Sequence, residues 1–103
     1  MAEFIKQGTL SITGTLLHTG DNGQPLSKIF TLSFNNPAAY VITLQKYDAK
    51  SATSIILYEI NLSAGDTVND TLVYSLNKGD TLTAFSDITG TSYYVYGIDY
   101  GSN

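Results

Sequence analysis

Several things are missing from this chain of 103 residues, and each absence removes a class of function. There is no cysteine, so a disulfide framework, a thiolate metal site and a thiol nucleophile are all excluded. There is no arginine, and nine acids outnumber five lysines for a net charge of −4. Specific nucleic-acid reading relies on the guanidinium fork, and counterion release needs a basic stripe; nucleic acid is therefore not an expected partner. No stretch approaches the ~20 apolar residues of a membrane helix, so no membrane partner is expected. The opening "MAEFIKQGTL" has neither a basic start nor an apolar run, so a secretory leader is not expected. There are only two prolines and one histidine.

What remains is rich in Thr, Ser, Ile, Leu and Tyr, the composition of β-sheet. Alternation of period two runs along nearly the whole chain. Residues 8–17 place Leu10, Ile12 and Leu16 on one face. Residues 27–34 place Phe30, Leu32 and Phe34 together. Residues 40–48 set Tyr40, Ile42 and Leu44 opposite Val41, Thr43 and Gln45. Residues 67–76 align Val68, Leu72, Tyr74 and Leu76. Turn signals separate these runs: Asp21-Asn22-Gly23, Asn35-Asn36-Pro37, "SAGD", "NKGD" and "DITG". The spacing predicts about seven strands, or eight if "EFIKQ" pairs, with connections too short for crossover helices. The expected fold is all-β: one antiparallel β-sandwich domain over residues 1–103, in Greek-key or jelly-roll order, with residues 1–7 as a candidate docking arm.

Candidate chemistry is thin. The phrase Gly-Asp-Thr occurs twice, at residues 65–67 and 79–81. Glycine supplies positive φ and aspartate bonds the turn backbone, which is strand-turn grammar. A glycosidase pair needs carboxylates roughly 5–10 Å apart, whereas successive turns of a meander lie at opposite ends. Asp66, Asn69 and Asp70 have the wrong spacing for a calcium loop, and Asp70 is expected at an outward or bulged position. His18 stands at a strand end, where exposure is the default, and no nucleophile motif accompanies it. No catalytic residue, cofactor or metal site is expected, and the chain does not read as an enzyme.

The aromatics are more informative. Tyr93 faces one way in the last strand, while Tyr94, Tyr96 and Tyr100 face the other with Ile98. "IILYEINL" is apolar on both faces apart from Glu59 and Asn61. A two-sided apolar strand in a two-layer fold needs a cover from outside, and a second copy is the economical one. The expected interface residues are Phe4, Ile5, Ile55, Leu57, Tyr94, Tyr96 and Tyr100. A homo-oligomer, a trimer in particular, is the expected state. A sugar-stacking platform on the tyrosines is the alternative, making carbohydrate a candidate partner.

The run "LSAGDTV", strand, "LNKGDTLTAFSDITGTSYYVYGIDY" resembles small β-sandwich virion proteins of tailed bacteriophages, crassvirus-like ones among them. The matching positions are Leu76, Gly79, Asp80, Thr81 and Leu82, then Thr89-Gly90, then Val95 and Gly97; the resemblance covers residues 30–100. Tyrosines stand in the last strand where smaller residues are expected. The resemblance implies a non-enzymatic virion protein, a capsid decoration or head fibre contacting other virion proteins, with a tail or neck accessory as an alternative. It also implies a location on the virion, after synthesis in the cytoplasm of a bacterial host.

Overall fold

The computed structural model describes residues 2–20 and 26–100. The Asp21-Asn22-Gly23 turn lies outside the described residues. Those described form nine strands: β1 (Ala2–Thr9), β2 (Thr15–Thr19), β3 (Leu26–Asn35), β4 (Tyr40–Asp48), β5 (Thr53–Leu62), β6 (Thr67–Asp70), β7 (Tyr74–Asn77), β8 (Thr81–Ser86) and β9 (Ser92–Tyr100). They make two antiparallel sheets packed face to face. One has the order β1-β9-β3-β6, with β7 also pairing β3; the other is β2-β8-β4-β5. The described part of the candidate arm, residues 2–7, lies within β1, which pairs with β9 from Ala2–Asp99 to Thr9–Ser92.

Alternating side chains from both sheets fill the space between the layers. Leu17, Ile29, Leu32, Phe34, Ile42, Leu44, Leu76, Leu82 and Val95 form the centre of the core. Tyr40 is also buried there, and its hydroxyl donates to the Phe34 carbonyl at 3.1 Å and the Asp66 carbonyl at 2.5 Å.

Four sequence expectations need correction, the first being the count of seven or eight strands, since nine are present among the described residues. Residues 8–17 are not one strand: β1 stops at Thr9 and β2 starts at Thr15, so Leu10 is buried while Ile12 and Leu16 are exposed. Ser11 makes the break, its hydroxyl accepting from Thr13 N and its own amide donating to Thr15 Oγ1. In β3 the pairing with β9 slips between Ile29 and Thr31. That bulge reverses the parity, so Ile29 enters the core with Leu32 and Phe34, and Phe30 turns out towards Tyr96. Residues 67–76 likewise split into β6 and β7, which pair with opposite ends of β3. The break at residues 71–73 lies across from the β3 bulge. It leaves Leu72 and Val73 exposed.

Candidate functional site

Large apolar side chains are exposed along the edges of the sandwich. Apart from Tyr47, they are Ile5 on β1, Ile12 before β2, Leu16 on β2, Ile55 and Ile56 on β5, and Leu72 and Val73 between β6 and β7. β1 and β2 end their sheets on one side, and β5 and β6–β7 end them on the other. Side-chain bonds across the layers fix which ends stack: Lys6 reaches His18 from β1 to β2, and Tyr58 reaches Asp70 from β5 to β6. The molecule thus has a near edge (β1 over β2) and a far edge (β6–β7 over β5), both apolar.

The far edge is shaped by Asp70. Its Oδ2 accepts from Tyr58 at 2.9 Å and Tyr74 at 2.6 Å, and its Oδ1 accepts from Leu72 N at 3.0 Å. Asp70, expected at an outward or bulged position, is instead buried at the end of β6, beside the break at residues 71–73. Burial first, then the Asp70 bond and charge, raise the hydroxyls of both Tyr58 and Tyr74 well above the ordinary tyrosine range. The two phenols stay neutral donors, and the Leu72 loop is tied to that point. Beside it lies an open pocket of about 360 Å³ lined by Tyr58, Ile60, Val68, Asp70 and Leu72.

The near edge holds a buried polar chain that alternation alone does not reveal. His18 is only 6% exposed, not at the surface. Lys6 Nζ donates to its Nδ1 at 2.9 Å, leaving Nε2–H to donate to Asp99 Oδ1 at 2.8 Å. Ser27 Oγ also donates to that oxygen at 2.5 Å. The Phe4 ring stacks on the imidazole with centroids 3.8 Å apart and planes 6° from parallel. Gly97 makes room for Phe4, since a Cβ there would lie 2.3 Å from the ring and 2.5 Å from the Lys28 carbonyl oxygen. Burial pulls the Lys6 ammonium below its ordinary range, and Asp99 partly opposes this. Burial pushes the Asp99 carboxyl up, but the bonds from Ser27 and His18 and the nearby Lys6 charge outweigh it and hold it low. The hydroxyl bonds Asp99 rather than the imidazole, and Ser27 is fully buried, so this is a strut between strands and not a nucleophile–base pair. One local signal pointed to it: Asp99 shares the inward parity of Tyr93 and Val95.

The remaining expected interface residues fall in two places. Ile5 and Ile55 are exposed on the two edges, while Phe4 and Leu57 pack against the core. Tyr94, Tyr96 and Tyr100 are half-buried on the outer face of β9, with Tyr96 donating to Glu3 Oε2 at 2.6 Å and Lys28 Nζ 5.8 Å from the Tyr100 ring centroid. A shallow groove of about 580 Å³ runs past Gln7, Ser33, Asn35, Ser92 and Tyr94. Both Gly-Asp turns have positive φ at glycine, 80° at Gly65 and 87° at Gly79. The aspartates differ: Asp80 bonds two backbone amides, whereas the Asp66 side chain is exposed. Among the described residues, no group of three or more His, Cys, Asp or Glu is placed to hold a metal.

No family model matches the chain, and no curated protein matches it in sequence. Solved structures do match. The fold is similar to that of a chain from Bacillus endospore appendages, described as a novel family of disulfide-linked pili. The TM-score is 0.61 at 14% identity, covering 99% of this chain and 87% of that one. It is also similar to the Drosophila NLP core, solved for insight into pentamer formation and histone binding. There the TM-score is 0.59 at 12% identity, covering 99% of this chain and 100% of that one. At these identities the likeness establishes a shared small all-β fold.

Proposed function

We propose that this chain is a non-enzymatic structural subunit that assembles with copies of itself. The observation that carries the reading is the exposure of large aliphatic side chains on two opposite edges that also end both sheets. Open edges with apolar side chains are an association hazard unless another chain covers them. The likeness to pilus and pentamer-forming folds supports the same reading. Unlike disulfide-linked pili, this chain has no cysteine, so disulfides do not join its copies. We read the strand orders β1-β9-β3-β6/β7 and β2-β8-β4-β5 as an eight-strand jelly roll with its sixth strand broken.

Within this proposal, the turn motif at Leu76–Leu82 favours a tailed-phage particle as the setting, with the subunit as a surface decoration or head fibre. A trimer is one closed form. Light scattering on the purified chain, with electron microscopy of the same fractions, tests the core of the reading. Closed or filamentous assemblies support it; an 11.1 kDa monomer at micromolar concentration overturns it. A second reading rests on the groove beside Tyr94: sugar binding on a glycan array, lost in Tyr94→Ala, would favour a carbohydrate-binding module.

A further inference from the structure

The self-assembly reading leaves open which surfaces meet. Two cross-strand rows answer this. On the outer face of one sheet, Leu16 pairs with Thr83, Thr83 with Gln45, and Gln45 with Ile56. This row begins on the near edge and ends on the far edge with an exposed aliphatic side chain at both ends. On the other sheet, Ile5 pairs with Tyr96 and Tyr96 with Thr31. Thr31 lies between the β3 residues paired to β6 and those paired to β7, opposite the break that exposes Leu72 and Val73. The second row therefore also runs from an exposed aliphatic residue on the near edge to a pair of them on the far edge.

We infer that copies join head to tail, the β1–β2 edge of one against the β5 and β6–β7 edge of the next, bringing Leu16 to Ile56 and Ile5 to Leu72. A neighbour displaced along the sheets in register produces both contacts at once. It also offers the right strand polarity. Every pairing within each sheet is antiparallel, so across four strands β1 runs opposite to β6, and β2 opposite to β5. Both joints are therefore antiparallel, and each sheet continues into the next copy.

Charge selects this arrangement over a symmetric one. Residues 53–77, which build the far edge, expose Glu59 and Asp66, keep Asp70 buried, and carry no cation. Two far edges would bring carboxylates together, whereas the near edge is balanced by Glu3 and Lys6. A two-fold dimer through either edge would also leave the other apolar edge bare. Head-to-tail contacts cover both, closing into a ring or extending as a filament.

This inference rests on the self-assembly reading, and sedimentation velocity on two double variants separates their failures. Ile5→Glu with Leu16→Glu blocks the near edge; Ile56→Glu with Leu72→Glu blocks the far edge. Wild-type chain should assemble, each variant alone should be an 11.1 kDa monomer, and an equimolar mixture should give a dimer and nothing larger. If either variant dimerises alone, or the mixture stays monomeric while wild type assembles, head-to-tail joining is overturned. If wild type itself is monomeric, the self-assembly reading fails and this inference with it. All four positions are exposed; if circular dichroism shows lost sheet, Thr at the same positions gives the same readout.

Discussion

Asp80 and Asp66 occupy the same place in the repeated Gly-Asp-Thr phrase, yet their surroundings assign them different weights. Asp80 is 1% exposed, and its two oxygens accept from Ala49 N and Asn77 N, each at 2.9 Å. Lys46 stands 3.9 Å away. Asp80→Ala would strip acceptors from two turn amides, and we expect a loss of about 2–4 kcal/mol, since leaving a buried donor unsatisfied costs roughly 1–3 kcal/mol. The Asp66 side chain is exposed, so Asp66→Ala should change stability by less than about 0.5 kcal/mol. Urea unfolding of the two variants checks the contrast. The repeat itself marked the turns and the positive φ at both glycines. It could not distinguish the two aspartates, because the second ties its turn to the distant β4–β5 connection through Ala49.

At the scale of the elements, Phe4 and Lys6 tie β1 to His18 of the opposite layer, and Asp99 of β9 holds that imidazole from the other side. The Asp99 carboxyl lies below the usual range in the folded protein. Its contribution is therefore complete above the unfolded value of about 3.9 and is lost as pH falls through the lower folded value. Acid unfolding should accordingly be shallower in Asp99→Asn, with the difference confined to pH below about 4–5. Identical acid profiles for wild type and variant would contradict this. Strand positions were largely legible as alternation, and β4 followed it closely through Tyr40, Ile42 and Leu44. The places where alternation misled are breaks set by partners elsewhere. The slip at Phe30 reflects pairing with β9, and the split at residues 71–73 is fixed by Asp70 with Tyr58 from β5. Local periodicity carries no term for a bulge or a break, so it groups Phe30, Ile12, Leu16 and Leu72 with buried neighbours whose face they do not share.

For the whole molecule, composition and short connections pointed to one all-β two-layer domain. The two-sided apolarity of β5 pointed to an outside cover. The alignment of near and far edges was not legible, because it depends on sheet order and register, which bring Leu16 into line with Ile56 across residues far apart in the chain. The central claim is that both edges are covered together on assembly. Hydrogen exchange read by mass spectrometry, comparing assembled wild type with the Ile56→Glu, Leu72→Glu variant, tests it most directly. The account predicts slower exchange in wild type over both Ala2–Thr9 and Thr53–Leu62, with the central strands β3, β4, β8 and β9 unchanged. Protection of only one edge, or of the tyrosine face of β9 with both edges exchanging as in the variant, would contradict it.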